Sequence, residues 1–483
     1  MSLSESFYWH DYETSGADVS RDRPLQFAGL RTDLDFNVLG EPLVIYSKPT
    51  PDYVPHPTAV RITGISPYTA LAHGVTENQF FEQIHRELSA PGTCGIGYNS
   101  LGFDDEITRY GLYRNFYDPY ARERNAGRSR WDLIDVTRAF YALRPEGLQW
   151  PRRDDGFTSF RLEDLSGANG IAHGNAHDAL SDVEATIGLA RCLKAQNSAL
   201  FDALYASRLK QHVAALLDIT AMKPVIYVSG VLGAQRCNLA VVAPLAVSAS
   251  NNNDIICADL SRAPAFLEQD PLVLRERLFA PRESLSEGEL RPPLLTIRLN
   301  KAPVILPLQW MTPERAEQLG YDGDTLRNHL AILRAAVQQD GKNIRARLQT
   351  VFTQPSFPPR TDVDAMLYDG FIPSQDKQQC AQIIDASASH LREQTWVFKD
   401  PRLPELLFRY RARNYPESLS EAESRQWYEH CRTNFADEGA FPLTAFQTAL
   451  DEECARSDLS PSQRAALEDL GKYAQELLQR LSG

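Results

Sequence analysis

Three short stretches of this chain put carboxylates where an ordinary element would not. In FYWHDYET, residues 7–14, Asp11 and Glu13 stand two apart. On a β-strand they share a face with Phe7 and Trp9, while Tyr8, His10, Tyr12 and Thr14 take the other. A half-buried strand does not normally mix acids with its large apolar groups. The stretch reads either as an edge strand ending in solvent or as a carboxylate pair held at a buried strand end to grip a divalent metal. In GYNSLGFDDEITRYGLYRN a strand ends near Asn99, and Asp104, Asp105 and Glu106 fall in the first turn of a helix; acids there also simply complement the macrodipole. In NAHDALSDVEATIGLARCLKAQ, residues 175–196, a helix runs from about 178, with Ala179, Ala185, Thr186 and Leu189 at neighbouring positions around Asp182.

A carboxylate walled by small and apolar neighbours is costly to bury unless a cation or hydrogen bonds compensate it. The plainer alternative is a solvated Asp182 with His177 as a cap. Taken together, Asp11, Glu13, Asp104 and Asp182 with His177 suit phosphodiester hydrolysis by hard divalent cations that prefer oxygen ligands. Two such ions about 4 Å apart can activate a water and stabilise the leaving 3′-oxygen. A histidine titrating near neutrality can take the proton from that water. His173 and His177 are four apart, but the intervening Gly174 and Asn175 argue against a zinc-binding helix.

The elements that must position these groups follow an α/β pattern over the first 195 or so residues. Strands are expected at 7–14, 25–33, 42–49 and 93–100, with a helix over 76–88 before the last of them. The first three suggest an antiparallel meander and the fourth a return after a helix, hence a mixed sheet with helices. From about 198 to 350 the texture is β-rich, with runs at 223–231, 238–247, 254–260 and 293–308 and turn-forming clusters between them, as in a small barrel-like domain. After the proline-rich TQPSFPPR (353–360) the pattern turns helical, with EAESRQWYEHCRTNF and PSQRAALEDLGKYAQELLQRL as amphipathic examples.

The 483 residues allow two to four domains, and the formal net charge of −13 argues against a tail that clamps nucleic acid by charge alone. Seven scattered cysteines, without a Cys-x-x-Cys, fit reduced thiols in a cytoplasmic protein. The N-terminal stretch lacks a basic region followed by an apolar one, and nowhere do eighteen apolar residues run together, so no membrane association is expected.

The motifs HDYET, YNSLGFDDE and HDALSDVEAT resemble the three exonuclease motifs of the DEDDh exonucleases, 3′→5′ nucleases on a ribonuclease-H-like fold. RWDLIDV, RPEGLQWP, SFRLEDL, KPVIYVSG, VAPLA and LLFRYRARNYP are similar to the bacterial exodeoxyribonuclease I family, so the resemblance extends over essentially the whole chain. It implies an α/β ribonuclease-H-like exonuclease domain (7–195), an SH3-like β domain (198–351) and an all-α C-terminal domain (354–478). Together these would close a basic groove on single-stranded DNA, and the enzyme would release 5′-mononucleotides from the 3′ end, in DNA repair and recombination. The resemblance further implies two Mg²⁺ ions, for which Mn²⁺ can substitute, held by Asp11, Glu13, Asp104 and Asp182, with His177 as general base. Glu13 and Arg161 would meet the substrate, and Arg109, Tyr120, Arg138 and Phe160 would line the DNA path. Lys223 and Arg334 match positions that dock the acidic C-terminal tail of single-strand DNA-binding protein, although Thr312 and Ala203 depart from that site. A monomer is expected.

An independent hint comes from residues 109–130. Arg109, Arg114, Arg122, Arg124, Arg128 and Arg130 stand against only Asp118 and Glu123, with Tyr110, Tyr113, Phe116, Tyr117 and Tyr120 interleaved. Arginines that track phosphates and aromatics that stack bases suit non-specific single-strand binding; core aromatics beside a solvated arginine face are the alternative. An exoribonuclease on the same five residues, and a non-catalytic single-strand binder on the same fold, are the competing functions.

Overall fold

The nine residues Ser6–Thr14 form β1, the strand that carries the first acidic pair. It lies between β2 (Pro24–Thr32), antiparallel to it, and β4 (Thr93–Gly97), parallel to it; β3 (Leu43–Tyr46) pairs with the far edge of β2, giving the order β3-β2-β1-β4. The expected meander and the return strand are both present. A parallel neighbour requires a crossover, and the connection between β3 and β4 includes the helix Glu77–Leu88. That helix starts on a Thr76–Gln79 capping box and buries Phe80, Phe81, Ile84 and Leu88. The structure is a computed structural model describing residues 5–172, 174, 178–281, 284, 290–353 and 359–482.

Alternation along β1 sets up the two sides of the sheet. Tyr8 and Tyr12 enter a core with Phe27, Phe80, Phe81, Ile84 and Leu112. Phe7 and Trp9 pack on the other side, edge to face at 5.5 Å, against Phe36, and the Trp9 indole donates to Thr32 Oγ1 at 2.9 Å. The helix Asp104–Arg114 lies against the helix Glu77–Leu88 so closely that a Cβ at Gly111 would fall 1.8 Å from Phe81 Cζ. Only glycine allows that approach.

The chain divides into two units, one of Met1–Ser129, Ala172–Ile187 and Pro358–Gly483 and the other of Arg130–Ile171 and Gly188–Phe357. In the first, the C-terminal helices share cores with the sheet domain. Val54 and Val60 join Trp427, Cys431, Leu467, Leu470 and Tyr473. Tyr110, Tyr113 and Phe116 are buried against Leu403, Leu406 and Tyr410. The aromatics of the 109–130 run are therefore in large part core, which corrects the reading of that run as a base-stacking track. The basic helix Leu403–Asn414 is structural: Arg409 and Arg413 are buried on Asp362, Asp364 and Asp52.

Through the short strand β5 (Ser129–Asp132) the chain enters the second unit, whose sheet comprises β6 (Val225–Val228), β7 (Leu239–Val247), β8 (Asp254–Asp259), β9 (Leu294–Arg298) and β10 (Val304–Pro307). It is antiparallel throughout, in the order β10-β6-β7-β8-β9. The run 293–308 is two strands, not one. The region is also less purely β than its texture suggests, because the helix Gly323–Val351 packs Leu330, Leu333, Leu348 and Val351 onto Val241, Ala243 and Ile256.

Candidate active site

β1 delivers Asp11 and Glu13 to the sheet face shared with Trp9, and a bulge between Glu13 and Thr14 breaks the β1–β2 register at that point. Bulges re-aim side chains at strand ends and recur beside active sites. Asp182 arrives from the first turn of the helix Ala179–Gln196. Asp11, Glu13 and Asp182 each offer a carboxylate oxygen, and the three oxygens lie within 4.8 Å of one another. Asp104 is the first residue of its helix and is buried. After burial itself, its charge is the strongest influence pushing Asp11 well above the usual carboxylate range, ahead of Glu13 and Asp182. Burial, then Asp182 and Asp104, pushes Glu13 up to about 9.

Asp11 and Glu13, both raised by burial and by the acids around them, mark a concentration of negative charge that a divalent cation would offset. All the donors are carboxylate oxygens, the set that suits Mg²⁺ or Mn²⁺. His177 lies outside the described residues.

Sequence reasoning missed two supporting features. Gln26 on β2 is the cross-strand partner of Glu13 and also of Tyr46 on β3, and its amide donates to the Tyr46 hydroxyl at 3.0 Å. The pairing depends on register, which no local pattern displays. The second feature is Arg122, wholly buried on a 3₁₀ turn (Ala121–Glu123) and donating to Asp105. Asp105 reads from sequence as a helix-dipole acid; nothing in its neighbourhood announces an arginine seventeen residues on.

The other expected site residues divide between the two units. In the first, Arg109 stacks over Tyr120 at 5.4 Å, but its guanidinium is engaged by Glu123 (2.7 and 2.8 Å), Glu106 (2.8 Å) and Tyr368 (3.1 Å). Arg114 likewise pairs with Glu77. The local surplus of arginines is thus answered largely by acids, several of them distant in sequence. Arg124 stays mostly exposed above the Tyr120 ring at 5.6 Å. In the second unit Arg138 lies over Phe160 at 5.7 Å and donates to Asp135. Arg161 is the N-cap of the helix Leu162–Ala168, with 74% of its side chain exposed. Lys223 and Arg334 are both exposed, and the Arg334 guanidinium rests on the Ala221 carbonyl at 2.8 Å, two residues from Lys223.

Comparison with known proteins agrees with this layout. Residues 8–190 match the family model described as Exonuclease, 208–354 the Exonuclease I SH3-like domain, and 361–477 the Exonuclease I C-terminal domain. The chain is 43% identical over 475 residues to exodeoxyribonuclease I of Escherichia coli, covering 98% of each protein. It is 42% identical over 443 residues to exodeoxyribonuclease I of Haemophilus influenzae, covering 91% of this chain and 92% of that one. Its fold superposes on E. coli exonuclease I in complex with a dA16 oligonucleotide at a TM-score of 0.91 and 42% identity, covering 98% of this chain and 100% of that one. For the zinc-bound form of the E. coli enzyme with single-stranded DNA the TM-score is 0.92, at the same identity and coverage. With each of its three segments matched and at least 42% identity over nearly the full length of two bacterial relatives, the chain belongs to the exodeoxyribonuclease I family.

Proposed function

We propose that this protein is a single-strand-specific 3′→5′ exodeoxyribonuclease that releases 5′-mononucleotides, with roles in DNA repair and recombination. The observation that carries the reading is the convergence of Asp11, Glu13 and Asp182 oxygens within 4.8 Å, with Asp104 close enough to raise Asp11. Asp11, Glu13, Asp104 and Asp182 hold two Mg²⁺ ions, or Mn²⁺ in their place. Bound there, the metals lower the pKa of the attacking water and offset charge on the leaving 3′-oxygen. His177 takes the water's proton. Glu13 and Arg161 meet the terminal nucleotide, and Tyr120 with Arg109 and Phe160 with Arg138 flank the incoming strand. The limits 7–195, 198–351 and 354–478 describe the three domains, and the protein acts as a cytoplasmic monomer. Lys223 and Arg334 form a basic pair suited to the acidic tail of single-strand DNA-binding protein.

Polarity mapping with end-labelled single-stranded DNA tests the reading. A 3′ label should leave at once as mononucleotide, a 5′-labelled strand should shorten stepwise, and EDTA should stop both. Matched RNA should be lost more slowly. Internal cuts, or faster loss of the RNA, would overturn it.

A further inference from the structure

Arg122 joins the two elements that carry Asp11 and Asp104 without belonging to either. Its Nη2 donates to the Asp105 carboxylate at 2.5 Å and reaches the Asp105 main-chain carbonyl at 3.4 Å. On the side of the sheet, a Cβ at Gly95 on β4 would fall 3.6 Å from Arg122 Nη1 and 3.7 Å from His10 Nε2. The guanidinium therefore lies beside the residue that follows Asp104 and close to the residue that precedes Asp11.

The helix that presents Asp104 has an unusual start. Its N-cap, Phe103, supplies no side-chain hydrogen bond, although N-caps are usually residues that do. The turn is closed instead by Ser100, whose carbonyl accepts from the Phe103 and Asp105 amides at 3.2 and 3.0 Å. Asp105, 1% exposed, is gripped from behind through its side chain by Arg122, itself 2% exposed. A fully buried ion pair is a poor stabilising device, because desolvation offsets most of the attraction. Arg122 Nε, moreover, has no hydrogen-bond partner among the described residues. What the pair does supply is a fixed orientation for the first helical turn relative to β1.

We propose that Arg122 is a positioning residue for the metal site: by clamping Asp105 against β1 and β4 it sets where the Asp104 carboxylate stands relative to Asp11. The inference rests on the reading of those two acids as metal ligands. Groups that orient metal ligands from behind typically change metal affinity about 10- to 100-fold when lost.

The test compares Mn²⁺ affinity, by calorimetry or electron paramagnetic resonance, with thermal stability in three full-length variants. Arg122→Lys keeps the charge and loses the fork; Mn²⁺ affinity should fall about tenfold, with single-strand binding in EDTA unchanged. Arg122→Met leaves Asp105 buried without this partner and should lower the melting temperature. The double variant Arg122→Met/Asp105→Leu removes both charges and should regain stability over Arg122→Met while Mn²⁺ affinity stays weak. If affinity returns with stability, or if Arg122→Lys binds Mn²⁺ like the parent, the pair is structural only and the inference is overturned. Failure of the parent protein to bind Mn²⁺ at all would instead sink the metal-site reading, and this inference with it.

Discussion

Glu13 and Asp182, 169 positions apart in the chain, meet with carboxylate oxygens inside a 4.8 Å cluster, and Asp182 is the neighbouring charge that most raises Glu13. The repulsion between them is a property of the protein alone, so it can be read in solution without substrate.

Divalent binding should therefore release protons. Glu13, pushed up to about 9, keeps its proton at neutral pH in the metal-free protein, and burial with the neighbouring acids pushes Asp11 in the same direction. A cation must displace those protons. Because the folded state holds protons that the unfolded chain has lost, the metal-free fold loses stability as pH climbs from the ordinary carboxylate range toward 9. Apparent Mg²⁺ affinity should rise with pH up to about 9, and the melting-temperature gain from Mg²⁺ should be larger at alkaline than at mildly acidic pH. Calorimetry in two buffers of different ionisation heat counts the protons; a buffer-independent heat would refute the coupling.

Asp182→Asn should separate chemistry from stability in opposite directions. It removes a ligand, so hydrolysis should fall by more than the roughly 100-fold that loss of an orienting group costs. It also removes a repelling charge, so the metal-free variant should melt higher than the parent. A variant that retains cleavage, or that melts lower without metal, contradicts the assignment.

Beneath the sheet domain, Arg413 holds Asp52 (2.8 Å) and Asp364 together, with Arg23 at 3.2 Å and Arg409 at 3.1 Å from Asp364. Burial raises both carboxyls, but Arg413 and Arg23 outweigh it and hold them below the usual range. A depressed folded pKa gives stability that is present above the unfolded value and is lost as pH falls through the folded one. Unfolding midpoints should therefore drop on acidification below about 4. Asp364→Asn should cost on the order of 3–5 kcal/mol at pH 7, with a shallower loss in acid than the parent. Urea midpoints measured across pH would decide it.

Much of this was legible from the chain alone, and the reasons for the gaps are specific. Alternation along β1 fixes which side chains share a face, so spacing alone puts Asp11 and Glu13 on the side of Trp9, and the helix before β4 already points to a mixed sheet. What stayed hidden depends on partners far away in sequence. Arg114 and Arg109 looked like a phosphate track because Glu77 lies 37 positions from the first and Tyr368 lies 259 from the second. Tyr110 and Phe116 looked like stacking platforms because the C-terminal helices that cover them begin more than 240 residues later. Local charge and aromatic counts cannot tell a groove from an internal seam; only the burial of each residue does.

Arg109 and Arg161 put that distinction to the test, since both are expected to meet DNA yet differ entirely in setting. Arg109 is 5% exposed and engaged by Glu106 and Glu123. Arg161 is largely solvent-exposed, with Glu163 at 3.5 Å. An exposed pair of that kind contributes little to stability, whereas withdrawing a buried cation from two acids costs on the order of 3–5 kcal/mol. Arg161→Ala should leave the melting temperature unchanged while weakening single-strand binding and reducing its salt slope by about one phosphate contact. Arg109→Ala should lower the melting temperature by several degrees, and any loss of DNA affinity should accompany that destabilisation. Binding isotherms over a salt series, alongside thermal melts of both variants, separate the two. Equal melting temperatures for parent and Arg109→Ala would mean that the Glu106–Arg109–Glu123 cluster is not the structural seam its geometry describes.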